Sequence, residues 1–260
     1  DDLKALGAEH VEWRLVGRGT HIPAEIAAIL QLRSIYRNTR PDIAFHFTIK
    51  PVIYGAIACR SLKIPFVSIV TGLGYAFIND NWISEISKLL YRITLSWSKE
   101  VWLLNGDDRE TMETQGLLRN ANVRMLPSEG IDTTFFAPGN LISPKRLQFL
   151  LVARLLRDKG VFEFVDAARK LLKAGVEAEF ALLGAVDADN PTAISLEIVR
   201  DWESEGVIKY LGVCRDVRPY ISSAQCIVLP SYREGIPRSL LEASAMSRPV
   251  IATDVPGCRD

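Results

Sequence analysis

Apolar runs of strand length alternate with helical periodicity from one end of this chain to the other, which restricts it to parallel sheets covered by helices. The first half reads as strand Val11–Val16, helix Ile22–Tyr36, strand Asp42–Phe47, helix Val52–Leu62 and strand Pro65–Val70. A helix over Asn81–Ser98 follows, with Ile83, Ile86, Leu90, Ile93 and Trp97 on one stripe. Strand Val101–Leu104, a helix that Asn105 or Asp107 can cap, and strand Asn122–Leu126 complete this half. The segment Ala137–Arg146, with two Pro and one Gly between apolar runs, marks an interdomain linker. The pattern then restarts with strands Leu147–Ala153, Ala178–Leu183, Val207–Leu211, Cys226–Leu229 and Val250–Ala252. Helices Gly160–Lys173, Thr192–Ser204, Val217–Ser223 and Pro237–Met246 separate them. The expectation is two doubly wound domains, residues 1–138 and 139–260, facing a cleft.

Composition narrows the class of function. The 260 residues carry 31 Lys+Arg against 31 Asp+Glu, so no global basic field argues for nucleic acid. Cys59, Cys214, Cys226 and Cys258 form no C-x-x-C pair, and His10, His21 and His46 cluster with none of them. That speaks against a disulfide framework or zinc site and fits a reducing cytoplasm. Neither a membrane-spanning apolar run nor a signal peptide is legible.

The most telling chemistry is the pair Glu234 and Glu242 in SYREGIPRSLLEASAMSRPVIATD. A strand ending at Leu229 runs into a Pro/Gly-punctuated loop holding Glu234, and Glu242 lies inside the helix that follows. Ligands of open parallel sheets bind outside the carboxyl ends of strands, beside helix N-termini that favour anions. Two carboxylates there repel a phosphate but suit sugar hydroxyls flanking one. The bland alternative is a favourable charge on a helix dipole and a solvated helix position. In ARLLRDKG, Arg154 follows a strand and Lys159 opens a helix, as a diphosphate clamp requires. Two surface cations are the commoner reading of such residues, but this loop ends a strand on the same rim as Glu234.

These segments carry a resemblance. Arg154-x4-Lys159, Leu183–Gly184, Tyr210–Leu211–Gly212 and LPSYREGIPRSLLEASAMSRPVIATDVPG are similar to the donor domain of the family 4 retaining glycosyltransferases, which have the GT-B fold. PDIAFHFTIKPVIYGAIA followed by KIPFVSIVTGLGYAF resembles bacterial members that build surface polysaccharides, O-antigens and lipid-linked glycans. The resemblance implies two Rossmann-like domains, both incomplete at the chain ends. It implies transfer of a hexose or N-acetylhexosamine from a UDP-sugar to an undecaprenyl-diphosphate-linked acceptor, with retention. Arg154 and Lys159 would hold the diphosphate, Glu242 the ribose and Glu234 a hydroxyl of the donor sugar. Gly235, Ile236, Ser239 and Leu240 would offer backbone amides, and Val213 would lie by the base. Neither metal nor cofactor is implied, since the UDP-sugar is a co-substrate. Other GT-B nucleotide-sugar enzymes and a non-catalytic nucleotide-binding fragment are the alternatives.

On the acceptor side, His46, Lys50, Thr71 and Gly72 are the candidates. His46 is expected just past a strand end, although a lone His beside two Phe is more often packed in a core. Relatives usually have a histidine at the turn that here reads Thr71-Gly72-Leu73-Gly74-Tyr75. The stripe of Asn81–Ser98, with Trp82, Trp97, Lys88 and Arg92, suits peripheral contact with the inner face of the cell membrane. Helices of this periodicity more often cover the sheet of their own domain.

Overall fold

Parallel strands cannot be joined by hairpins, so the apolar segments must be separated by crossovers, and the chain obeys this throughout. The computed structural model describes residues 2–15, 21–73, 82–139, 146–188 and 190–260. Expectations at Val16, Gly74, Tyr75 and Asn81 and in the middle of Ala137–Arg146 lie outside these residues, as do the side chains of Trp82 and Ile83. Two compact units result, Asp1–Pro127 and Ser128–Asp260. Their division falls earlier than the expected 138/139 boundary, because Phe136 and Ile131 pack into the core of the second unit.

The first unit comprises α1 (Asp2–Ala5), α2 (Ile22–Thr39), β1 (Ala44–Phe47), α3 (Ile49–Leu62), β2 (Phe66–Val70), α4 (Trp82–Leu95), β3 (Glu100–Leu103), α5 (Gly106–Thr114) and β4 (Val123–Met125). Its four strands are parallel and stand in the order β1-β2-β3-β4. Right-handed crossovers in monotonic order all fall on one face of a sheet. Val52 and Ile53 of α3, Tyr91 and Leu95 of α4 and Met112 of α5 accordingly share one core with Val70, Val101 and Leu103. As expected, Asn105 caps α5, its Oδ1 accepting the Asp108 amide at 2.7 Å.

Three expectations need correction here. Residues 11–15 form no strand. Trp13 and Leu15 pack on the core without pairing, and Trp13 Nε1 donates to the Ala28 carbonyl at 2.9 Å. Of the α4 stripe expected to cover the sheet, Leu90 packs on the core, whereas Ile86, Ile93 and Trp97 are exposed. Ser84, Tyr91, Thr94 and Leu95 are buried instead. His46 is not past a strand end but inside β1 and 2% exposed.

The His46 ring lies between Tyr36 and Phe66, and its Nε2 shares a 3.0 Å hydrogen bond with the Tyr36 hydroxyl. Gly55 of α3 presses so close that a Cβ there would stand 2.3 Å from the same nitrogen. Burial lowers its pKa to about 4. The imidazole is a neutral core group that cannot reach a ligand from this position. An unfolded chain takes up a proton near pH 6.5 that the folded chain refuses until about 4. Stability is therefore full above 6.5 and declines as the pH falls through that window. Urea unfolding at pH 7 and 4.5 should show wild type losing about 2 to 3 kcal/mol more than His46→Gln. Equal losses would remove His46 from the core.

The second unit contains β5 (Leu147–Val152), a 3-10 turn Arg157–Lys159, α6 (Val161–Lys173), β6 (Ala178–Leu183), α7 (Leu196–Ser204), β7 (Lys209–Tyr210), α8 (Arg218–Ser223), β8 (Cys226–Leu229), α9 (Arg238–Ala245) and β9 (Val250–Ala252). The order is β7-β6-β5-β8-β9, all parallel. The winding runs outward from β5 to β7, then returns and runs the other way through β8 and β9. Successive residues of the central strand serve opposite layers. Leu151 packs with Phe164 of α6 and Trp202 of α7, while Leu150 packs with Ile221 of α8 and Ala243 of α9. This reversal opens a crevice at the carboxyl ends of β5 and β8, the place where doubly wound sheets bind ligands.

Candidate functional site

Both loops that leave β5 and β8 carry charge into that crevice. Lys159 Nζ lies 2.5 Å from Glu234 Oε1, with side chains only 21% and 11% exposed. Ser231 Oγ donates to the same carboxylate oxygen at 2.7 Å, and Thr253 Oγ1 in turn donates to the Ser231 carbonyl. Two residues distant in sequence, expected on one rim, thus meet directly. The charges neutralise each other where either alone would be costly to desolvate.

Backbone contacts lock the loops together. The Tyr232 amide donates to the Asp158 carbonyl at 3.0 Å, and the Glu234 amide to the Pro256 carbonyl at 3.0 Å. Gly160, at φ +70°, leaves room for the β8 loop: a Cβ would fall 2.0 Å from the Pro230 carbonyl oxygen. Gly257, at φ +79°, abuts the Glu234 carbonyl in the same way. Cys258 stands beside this seat, its thiol pushed up to about 11 by burial and the Glu234 charge.

Glu242 sits on the second turn of α9 and is 9% exposed. Burial raises its pKa, partly offset by Arg238, whose Nε is 3.6 Å away and whose side chain is 64% exposed. The carboxylate is largely desolvated and is met by a mostly exposed arginine at 3.6 Å, so it retains acceptor capacity. Arg154 follows β5 but turns to Asp187 after β6, at 2.8 Å, and its side chain is 56% exposed. Gly235, Ile236 and Ser239 lead into and begin α9, whereas the Leu240 amide is already spent on the Pro237 carbonyl at 3.1 Å. Val213 is 68% exposed beyond Gly212, whose carbonyl takes the Gly184 amide at 2.9 Å. Ser231, Thr253 and Asp187 escaped the sequence reading. Asp187 follows a strand end on this rim and was discoverable by the rule that flagged Arg154.

In the first unit, Lys50 opens α3 and pairs with Glu25 of α2 at 2.8 Å, and Tyr54 donates to the other oxygen of that carboxylate at 2.5 Å. Thr48, just before α3, adopts φ 67°, ψ 168°, a region that β-branched residues avoid. Thr71 and Gly72 leave the carboxyl end of β2 half-buried, with Gly72 at φ +139°. His46 joins none of these, being committed to Tyr36 and Phe66. Among the described residues, no group of three or more His, Cys, Asp or Glu is placed to hold a metal ion.

Comparison with known proteins gives this geometry a context. Residues 146–260 match the family model described as glycosyl transferases group 1, and residues 1–103 match glycosyl transferase 4-like. A Campylobacter jejuni N,N'-diacetylbacillosaminyl-diphospho-undecaprenol alpha-1,3-N-acetylgalactosaminyltransferase is 30% identical over 87% of this chain and 62% of its own. An Escherichia coli UDP-Gal:alpha-D-GlcNAc-diphosphoundecaprenol alpha-1,3-galactosyltransferase is 22% identical over 92% of this chain and 65% of its own. The chain thus spans less than two thirds of the length of these curated relatives. Anabaena HepE, solved with UDP, superposes with a TM-score of 0.70 at 16% identity, covering 90% of this chain and 65% of that one. A glycosyltransferase from Rickettsia africae gives 0.71 at 17% identity, covering 99% and 69%. These likenesses establish a GT-B, α/β architecture.

The glycine seat gives a direct check. Gly160→Ala forces a Cβ onto the Pro230 backbone in a left-handed conformation, and should destabilise the chain by about 3 kcal/mol. A thermal midpoint within a degree or two of wild type, about the scatter of a neutral substitution, would refute the close approach.

Proposed function

The chain belongs to the glycosyl transferases of group 1 and 4-like type, and we propose that it moves a hexose or N-acetylhexosamine from a UDP-sugar to a lipid-linked glycan acceptor, with retention of anomeric configuration. The two relatives named above act, by their names, on diphosphoundecaprenol-linked sugars, which supports this acceptor class. Such an acceptor would bring the protein to a membrane surface; no helix among the described residues is long and apolar enough to cross one.

The observation that carries the reading is the Lys159–Glu234 pair at the reversal of the second sheet. A donor diphosphate offers Lys159 a stronger anion than Glu234 does. As the ammonium turns to the phosphates, the carboxylate is freed to accept from a hydroxyl of the donor sugar, with Ser231 still holding it. Arg154, exposed and paired with Asp187, can swing to the same diphosphate. When the anomeric carbon–oxygen bond breaks, its electron pair leaves with UDP. Fixed cations beside the phosphates stabilise that charge, so the reading requires no divalent metal and no cofactor. Glu242 would accept from the ribose hydroxyls, which add donors to a desolvated carboxylate that Arg238 meets at 3.6 Å. The amides at Ile236 and Ser239, beyond Gly235, would face the same substrate, and exposed Val213 would lie by the base.

Lys50, Thr71 and Gly72 are the acceptor-side candidates of this reading, at the carboxyl ends of β1 and β2. Leu240 enters through packing, its amide being engaged.

Calorimetry with UDP, followed by a UDP-release assay with UDP-glucose, UDP-galactose and their N-acetylated forms on a diphosphoundecaprenol-linked acceptor, tests the whole. Binding and release with an α-anomeric product from an α-linked donor are expected, and inversion would exclude retention. Lys159→Ala should weaken UDP binding at least about tenfold and slow turnover, and unchanged kinetics would remove the clamp. Glu242→Ala should raise the Kd for UDP while leaving acceptor affinity alone. The opposite pattern would contradict the ribose role.

A further inference from the structure

An enclosed carboxylate in the first unit repeats, with different partners, the arrangement of Lys159 and Glu234 in the second. Glu25 of α2 takes Lys50 Nζ on Oε1 at 2.8 Å and the Tyr54 hydroxyl on Oε2 at 2.5 Å. The Lys50 and Glu25 side chains are 22% and 16% exposed, and Tyr54 is buried. His21, which precedes α2, acts on the same carboxylate. Burial opposes the Glu25 charge, but the Lys50 and Tyr54 hydrogen bonds outweigh it and hold the carboxyl below its ordinary pKa. Burial and that carboxylate together push the Tyr54 phenol up, so the hydroxyl stays a donor.

Lys50 stands in the first turn of α3, beyond the carboxyl end of β1, and Thr71 and Gly72 leave the adjacent strand β2 at the same edge. Parallel sheets take their ligands at this edge. The ordinary use of such a cluster is a staple between α2 and α3, but apolar residues of similar volume serve that purpose as well or better. A staple also leaves Thr48 unexplained. Its positive φ, directly before α3, is a conformation that β-branched residues avoid and that gathers at ligand sites.

The chemistry of the cluster defines a class of ligand. Lys50 offers a cation to an anion. When Lys50 turns to that anion, one Glu25 oxygen is released to accept from a hydroxyl or an amide N–H, while Tyr54 keeps the other. With only 2.8 Å between ammonium and carboxylate, the anion and the hydrogen-bond donor must sit on neighbouring carbons of one molecule. A sugar joined to phosphate through its anomeric carbon has this form, because the C2 substituent lies beside the phosphate. Inorganic phosphate lacks the donor, and a neutral sugar lacks the anion.

We propose that Glu25, held by Tyr54 and paired with Lys50, recognises the C2 substituent of a sugar joined to phosphate and so selects the acceptor. The proposal rests on the lipid-linked acceptor reading only in calling that sugar phosphate the acceptor. Binding at Glu25 requires no transfer, so the two can fail separately.

The probe is N-acetylglucosamine carried on the diphosphate of a short-chain prenol, titrated by calorimetry into protein saturated with UDP, beside its 2-deoxyglucose counterpart. Wild type should bind the first at least about tenfold more tightly than the second. Glu25→Ala should bring the two within about twofold, and Tyr54→Phe, which keeps the ring, should cut the preference about threefold. UDP affinity should be unchanged in both variants. A purely structural staple would weaken both probes alike and leave the preference as it is. Wild type that binds neither probe, or both equally, would overturn the proposal. So would either variant that folds and discriminates as wild type does; should Glu25→Ala not fold, Tyr54→Phe decides. UDP release is assayed with the same probe. No transfer from any UDP-sugar, with the preference intact, would strike the function reading and leave this site standing.

Discussion

An ammonium and a carboxylate, brought together from segments far apart in the chain, hold each other at the reversal of the second sheet. The strand order sets this meeting. Only where β5 and β8 lie side by side, with their helices on opposite faces, do two loops exit the same edge without a helix between them. Each charge is too enclosed to be stable alone and too accessible to be inert. The pair is a placeholder that an anion and a hydroxyl can jointly replace, which is what a nucleotide-sugar presents. The surrounding contacts, from Ser231 on Glu234 to Tyr232 on Asp158, keep the exchange local by fixing the backbone on either side.

Much of this was readable beforehand. β6 and β8 match their expected bounds, because a strand buried on both faces is a short apolar run that helical spacing does not imitate, and β9 matches as well although its three residues are exposed at the sheet edge. The charged loops were legible because a strand end followed by a helix start fixes where a side chain goes before any contact is known. Ser231 and Thr253 were not, since their roles depend on a hydrogen-bond chain between segments that only the folded sheet brings near. Val11–Val16 failed for a related reason. Alternation shows that Trp13 and Leu15 face a core but not whether a neighbour strand is there to pair with. α4 is met only at Leu90, because periodicity reveals a stripe and is silent about which side of the helix meets the sheet.

The two sheets also differ in how they use the same pattern. In the first, monotonic strand order puts α3, α4 and α5 in one layer, and the β1 residues facing away, Phe45 and Phe47, are each 47% exposed. His46, between them, points into the helix layer and is consumed by packing. Its fate follows from strand alternation. A residue flanked by two outward aromatics must itself turn inward. In the second sheet the strand order reverses, both faces are covered, and polar groups reach the rim through the loops instead of through the strands.

The thiol of Cys258, seated behind the Glu234 loop, is kept in its unreactive protonated form by burial and the neighbouring negative charge. Any event that redistributes charge between Lys159 and Glu234 alters that suppression. The Glu234 charge raises that thiol's pKa and the Lys159 charge lowers it, so the thiol feels both members of the pair.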